Sequence, residues 1–285
     1  MPEFLQADWC DLDWTNWISF NSSTSDFRQI ETGPGLYRVR PKGGKFLTYI
    51  GQTHRDLRER TRALAINTIK HEMPWNGPHR GAPCLWAWSN AENWEYEISA
   101  TSSTLDEREI QGLEAMLFWK YRSEAKKSAT CNHGKFHEDY FRPKNRKTGI
   151  KGGKFLDDEK NSKGGVCWPV AKMKGNPIDD DWMDLEWSQL FRFKEGVNIQ
   201  NRPAVYKIWT EGELTLDYIG QTTVSKSRLK AHSKKSWIGN NTLFSVCYLP
   251  DEIQDYQLRE IEDDLIGAYY SKNNEIPKYQ FAGKQ

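Results

Sequence analysis

The sequence predicts an α+β chain assembled from two tandem copies of one unit, and three observations carry that expectation. The heptapeptide LTYIGQT at 47–53 returns as LDYIGQT at 216–222. A Trp-rich opening, DWCDLDW at 8–14, returns as DWMDLEW at 181–187. A helical segment, LEAMLFWKY at 113–121, has its counterpart in IEDDLIGAY at 261–269. Identical letters packed into so short a window as YIGQT point to internal duplication. Tyr37 and Tyr206 stand 169 residues apart, as do Tyr49 and Tyr218, whereas the helical segments are offset by only 148. The falling offset places extra residues in the first copy. The expected organisation is a first unit over 1–140 with an insertion at about 65–96, a basic Gly/Lys/Pro-rich connector over 141–177, and a second unit over 178–285.

Each copy opens with the Trp-rich element, expected to be a packing cap, and then a strand pair. Tyr37 and Tyr49 flank PKGGK with their midpoint at Gly43, and Tyr206 and Tyr218 have theirs at Gly212. A hairpin folding about each glycine predicts the two tyrosines directly opposite one another, on one face, with Cβ atoms about 5 Å apart. After each YIGQT, HRDLRERTRAL and TVSKSRLKAH read as short amphipathic helices carrying Arg60 and Arg228. In the insertion, Trp86 and Trp88 alternate as in a strand, and SNAEN suggests a turn into a second strand, WEYEISATS. Ile110, Leu113, Leu117 and Tyr121 recur at helical spacing, as do Leu258, Leu265, Ile266 and Tyr269. Glu114 and Glu262 lie on or beside these apolar faces. A carboxylate there is costly unless it is paired or binds a cation.

Composition narrows the function classes. Lys plus Arg number 40 and Asp plus Glu 39, so overall charge selects no partner, while a local basic stripe acts over about 8–10 Å. The N-terminus does not resemble a signal peptide, and no run approaches the ~20 apolar residues needed to span a bilayer. Five scattered cysteines suit a reducing compartment, so a cytoplasmic location is expected. CNHGKFH brings Cys131, His133 and His137 close in sequence without an obvious fourth ligand for zinc. Arg142, Lys144, Arg146, Lys147, Lys151 and Lys154 occur between 140 and 156 with no acidic residue. A solvated linker and a run that tracks a nucleic-acid backbone are both open readings.

Two tyrosines, an arginine and an inward glutamate, in the same order twice, suit phosphodiester chemistry. Arginine presents a fork to phosphate oxygens. A carboxylate holds Mg²⁺ together with water and phosphate. A tyrosine takes a proton from water only if its pKa, about 10 when free, is lowered by neighbouring positive charge.

In these residues the chain resembles the GIY-YIG nuclease superfamily twice, through GLY…YIG at 35–51 and AVY…YIG at 204–220. Arg60 and Arg228 match the family arginine, and His232 a histidine four residues beyond it. Glu114 and Glu262 match the metal-binding glutamate, and Asn132 the terminal asparagine. The resemblance covers roughly residues 33–140 and 202–280. It implies a small, mainly antiparallel sheet flanked by helices in each copy, and phosphodiester hydrolysis dependent on Mg²⁺ or Mn²⁺. Tyr37, Tyr49, Arg60, Tyr206, Tyr218, Arg228 and His232 would be catalytic. Three features depart from the family pattern: the first copy has Leu64 where the second has His232; the second has no clear terminal asparagine, Asn273 and Asn274 coming early; and the second keeps only the tyrosine of its first motif, with Ala204 and Val205 before it. The expected function is an endonuclease that cuts both strands of double-stranded DNA from two sites in one chain, for restriction or repair. The chain would act as an internal pseudo-dimer, with a homodimer left open. The rival is a nucleic-acid-binding protein in which one or both units are inactive.

Overall fold

The computed structural model describes residues 2–76, 79–144, 149–156, 159–161 and 164–282. The chain divides into two compact units, Met1–Cys167 and Trp168–Gln285, each a mixed α/β structure with an antiparallel sheet. Among the described residues no helix is long and apolar enough to cross a membrane.

Unit 1 contains, in chain order, β1 (Ile18–Ser19), β2 (Gly35–Pro41), β3 (Tyr49–Thr53), α1 (Leu57–Thr68), α2 (Ala82–Glu92), β4 (Tyr96–Ser102), α3 (Glu107–Ala125), β5 (Tyr140–Phe141) and β6 (Gly153–Lys154). Its main sheet has the order β1-β4-β2-β3, every pairing antiparallel, and β5 and β6 form a separate hairpin. Unit 2 contains β7 (Phe191–Arg192), β8 (Ala204–Thr210), β9 (Tyr218–Thr222), α4 (Ser225–His232), β10 (Thr242–Tyr248) and α5 (Asp255–Asn273). Its sheet order, β7-β10-β8-β9, repeats that of unit 1, again antiparallel throughout. The long helices α3 and α5 carry the sequence stripe inward: Ile110, Leu113, Leu117 and Tyr121 are buried, as are Leu258, Leu265, Ile266 and Tyr269. Both helices start in capping boxes, Asp106 with Glu109 and Gln254 with Gln257. Both end on a left-handed residue, Lys126 and Asn274. Asn274 is thus the cap of its helix.

Three local expectations are corrected. The tyrosines are not directly opposite: Tyr37 pairs with Gly51 and Tyr49 with Val39, while Tyr206 pairs with Gly220 and Tyr218 with Ile208. The hairpin loop is therefore asymmetric about its glycine, and the two rings become diagonal neighbours on one face. Trp86 and Trp88 lie on α2, not on a strand. Gly81 and Pro83 start that helix, Asn93 caps it in the left-handed conformation, and Cys84 and Leu85 bury its inner side. The expected connector is not an open linker along its described length. Tyr140 and Phe141 pair with Lys154 and Gly153, and Cys167 Sγ accepts from Lys135 Nζ at 2.9 Å. Beyond it, Trp168 N donates to Glu260 and Ala171 N to Asp264, both on α5.

The Trp-rich openings turn out to cover a buried cation. Each winds into one 3-10 turn with two left-handed residues, Cys10 and Asp11 or Met183 and Asp184. Trp14 Nε1 donates to the Trp9 carbonyl, and Trp187 Nε1 to that of Trp182. Over them lies the residue after the first tyrosine. Arg38 sits 4.2 Å from the Trp14 ring and donates to the Phe4 and Gln6 carbonyls. Lys207 sits 4.4 Å from the Trp187 ring and donates to the Asp179 carbonyl. Burial pushes the Lys207 ammonium down to about 7. Indole faces and carbonyls offset the lost hydration of both cations.

Candidate active site

In unit 2 the site is built on the β8–β9 hairpin. Tyr206 and Tyr218 project from one face, their ring centroids 6.1 Å apart and nearly parallel. Gly220, opposite Tyr206, is required by that geometry, because a Cβ there would lie 2.4 Å from the Tyr206 hydroxyl. The helix α4 then sets Arg228 and His232 one turn apart. Arg228 Nε donates to the Tyr206 hydroxyl at 3.1 Å, and His232 Nε2 lies 2.9 Å from the same oxygen. Trp237 packs edge-on against His232 and stacks on Tyr279. Glu262 approaches from α5. Although partly exposed, it is densely surrounded by protein atoms, and burial pushes its carboxyl up to about 8, with Asp263 adding to the rise. The Gln221 backbone, Arg228 and Arg259 act in the opposite direction.

Unit 1 repeats the frame. The Tyr37 and Tyr49 centroids are 6.0 Å apart, and a Cβ at Gly51 would lie 2.6 Å from the Tyr37 ring. The charge of Arg60, on α1, acts to lower the Tyr37 phenol, and the charge of Glu114 on α3 acts on both tyrosines. Each unit therefore brings its own tyrosine pair, arginine and glutamate together. The expected lowering of the phenols does not occur. Burial, the first cause in every case, outweighs the arginines and raises all four tyrosines.

Two further groups differ between the units. Asn132 is turned to the edge of β3, where Oδ1 accepts from Ile50 N at 2.9 Å and Nδ2 donates to Ile50 O at 2.8 Å. It clamps the strand. In unit 2 the same service comes from Gln280, whose Oε1 accepts from Ile219 N at 3.0 Å. Gln280 escaped the sequence reading because a different residue type performs the task; its 148-residue spacing from Asn132 was the available signal. Leu64, on α1 where α4 has His232, is fully buried. A histidine nonetheless lies beside Arg60. His79, from the insertion, lines a cleft of about 390 Å³ together with Gln52, Arg55 and Arg60. Burial and the charge of Arg60 push it down to about 4, as burial and Arg228 do for His232. Nothing in its sequence surroundings distinguished His79.

The remaining candidates lie elsewhere. Among the described residues no three His, Cys, Asp or Glu side chains are grouped to hold a metal ion. His133 packs on Phe118, while His137 packs on Trp88 and Tyr140. Arg142, Lys144, Lys151 and Lys154 are exposed around the β5–β6 hairpin; Arg142 covers Phe136 and Lys151 faces Glu72 at 3.8 Å. Arg146 and Lys147 lie outside the described residues. No protein-family model, curated protein or solved structure matches the chain.

Proposed function

We propose that the chain is a divalent-metal-dependent endonuclease of GIY-YIG type, hydrolysing phosphodiester bonds of double-stranded DNA with one site in each unit. The observation that supports this reading most is the convergence, twice, of two strand tyrosines, a helix arginine and a glutamate from a third element. Glu114 and Glu262 would hold Mg²⁺ or Mn²⁺. A hard carboxylate donor, with no group of three His, Cys, Asp or Glu side chains among the described residues, fits a cation that keeps most of its water shell. When bound, the ion supplies Lewis-acid polarisation of a phosphate oxygen.

The chain's own groups supply the rest. Arg228 holds a non-bridging phosphate oxygen and keeps the Tyr206 hydroxyl in place. As the oxygen of an attacking water bonds to phosphorus and the bond to the leaving strand end breaks, the water's proton passes through Tyr206 to neutral His232. The leaving oxygen takes its proton from solvent. A phenol held protonated suits such a relay better than it suits proton storage.

Supercoiled plasmid incubated with Mg²⁺ tests the reading, with EDTA as control. Nicked and linear products that vanish in EDTA are expected; intact plasmid in both conditions contradicts it. The raised phenols favour one competing reading, a module that grips phosphate without cutting. Its signature would be a gel shift of duplex DNA with no cleavage.

A further inference from the structure

We propose that His79 is the imidazole of the unit 1 site, delivered by the insertion in place of the helix histidine that unit 2 uses. The proposal rests on the nuclease reading above and asks which residues complete it.

The helix position itself is closed to an imidazole. Leu64 is fully buried in the same core as Ala82, Cys84 and Leu85 of α2. Among the described residues unit 2 has no counterpart of α2, so His232 can occupy the equivalent place on α4. The chain that leads into α2 compensates. Gly81 lies against the Tyr49 ring, where a Cβ would come within 2.7 Å, so the segment that carries His79, two residues earlier, runs beside the tyrosine pair. His79 is 4% exposed and shares its cleft with Arg60, the arginine whose charge acts on Tyr37.

His79 also carries an unsatisfied ring nitrogen. Its Nδ1 is buried with no hydrogen-bond partner, as is Nδ1 of His232. A histidine retained only for packing would be expected to have that nitrogen satisfied. Burial and a neighbouring arginine keep both rings neutral near pH 7. A neutral ring can take the proton released as the oxygen of water bonds to phosphorus and the bond to the leaving strand end breaks; solvent protonates the leaving oxygen.

The test uses the full chain carrying Glu262→Gln, in which nicking of supercoiled plasmid reports unit 1 alone. Adding His79→Gln should lower the single-turnover nicking rate by about 100-fold or more. Affinity for duplex DNA in Ca²⁺ and the melting temperature should stay unchanged. Undiminished nicking overturns the proposal while leaving the nuclease reading intact. A rate lost together with affinity or melting temperature also overturns it, in favour of a structural role. A second measurement needs no cutting. The ring ¹H–¹⁵N signals of His79, assigned by their disappearance in His79→Gln, are followed while a phosphorothioate duplex is added in Ca²⁺. Shifted ring signals support the proposal, and unmoved signals overturn it. If the wild-type chain cuts nothing in Mg²⁺, the nuclease reading fails and the ring titration alone decides the place of His79.

Discussion

Unit 1 and unit 2 share a sheet order, a tyrosine pair and a buried cation, yet differ in how an amide and an imidazole reach that frame. The tyrosines, the glycine beneath them, the arginine and the glutamate come from equivalent elements in both. The strand clamp is Asn132 in one and Gln280 in the other, and the histidine is His79 from a loop in one and His232 from a helix in the other. Positions set by backbone sterics have been kept letter for letter. Groups needed only as a chemical function at a point in space have been supplied by whatever chain passes there.

The sharpest way to break the comparison is through the arginines. Arg60→Ala and Arg228→Ala should each reduce cleavage at its own site by about 10²–10³-fold, measured by single-turnover nicking in the background of the other unit's Glu→Gln variant. Unequal losses would show that the two sites do not use the arginine alike. Next in size are the glycines. Gly51→Ala and Gly220→Ala drive a methyl into a tyrosine ring and should each cost about 1–3 kcal/mol in urea unfolding, with activity falling in the same unit. A neutral result at either position would remove the steric account of the YIG motif. The clamps come third. Asn132→Ala and Gln280→Ala each strand a buried Ile backbone N–H and should cost about 1–3 kcal/mol; a cost at one only would mean that the clamps are not equivalent.

A pH experiment sharpens the histidine comparison. Both imidazoles titrate near 4 in the folded chain, against about 6.5 when unfolded. Between those values the unfolded chain binds more protons, so stability rises with pH through that window. The penalty is fully present below about 4 and gone above about 6.5. His79→Gln and His232→Gln should each flatten this rise, read as the urea midpoint at pH 4.5 against pH 7. A slope unchanged in either variant would show that its ring is not held neutral by burial. The smallest effect concerns the exposed cations. Lys144→Ser and Lys154→Ser should each reduce the slope of log K against log salt for duplex binding by about 0.9, if each contacts one phosphate. An unchanged slope would leave them as solvated surface.

The repeated strand, the helical stripes and the inward glutamates were legible in the sequence because period and duplication record burial directly. The hairpin register was not, since a glycine midpoint says nothing about how unevenly the loop around Gly43 is divided. The Trp-rich openings read only as packing, because the cation they cover, Arg38 or Lys207, lies on a distant strand. The α2 helix misled through Trp86 and Trp88, whose alternation mimics a strand while Pro83 and Cys84–Leu85 set the helix. His79 and Gln280 were hard to see for complementary reasons: His79 keeps the residue type of His232 but not its offset, and Gln280 keeps the offset from Asn132 but not its residue type.

Two working sites on one chain would release different plasmid products from those of one site. Supercoiled plasmid is cut under single-turnover conditions, with enzyme in excess and Mg²⁺ present, by the wild-type chain, Glu114→Gln, Glu262→Gln and the double variant. Two sites should give linear product from the wild type, mainly nicked circles from each single variant, and intact plasmid from the double. Linear DNA formed at the wild-type rate by either single variant, or full-rate cutting by the double, would contradict the two-site reading.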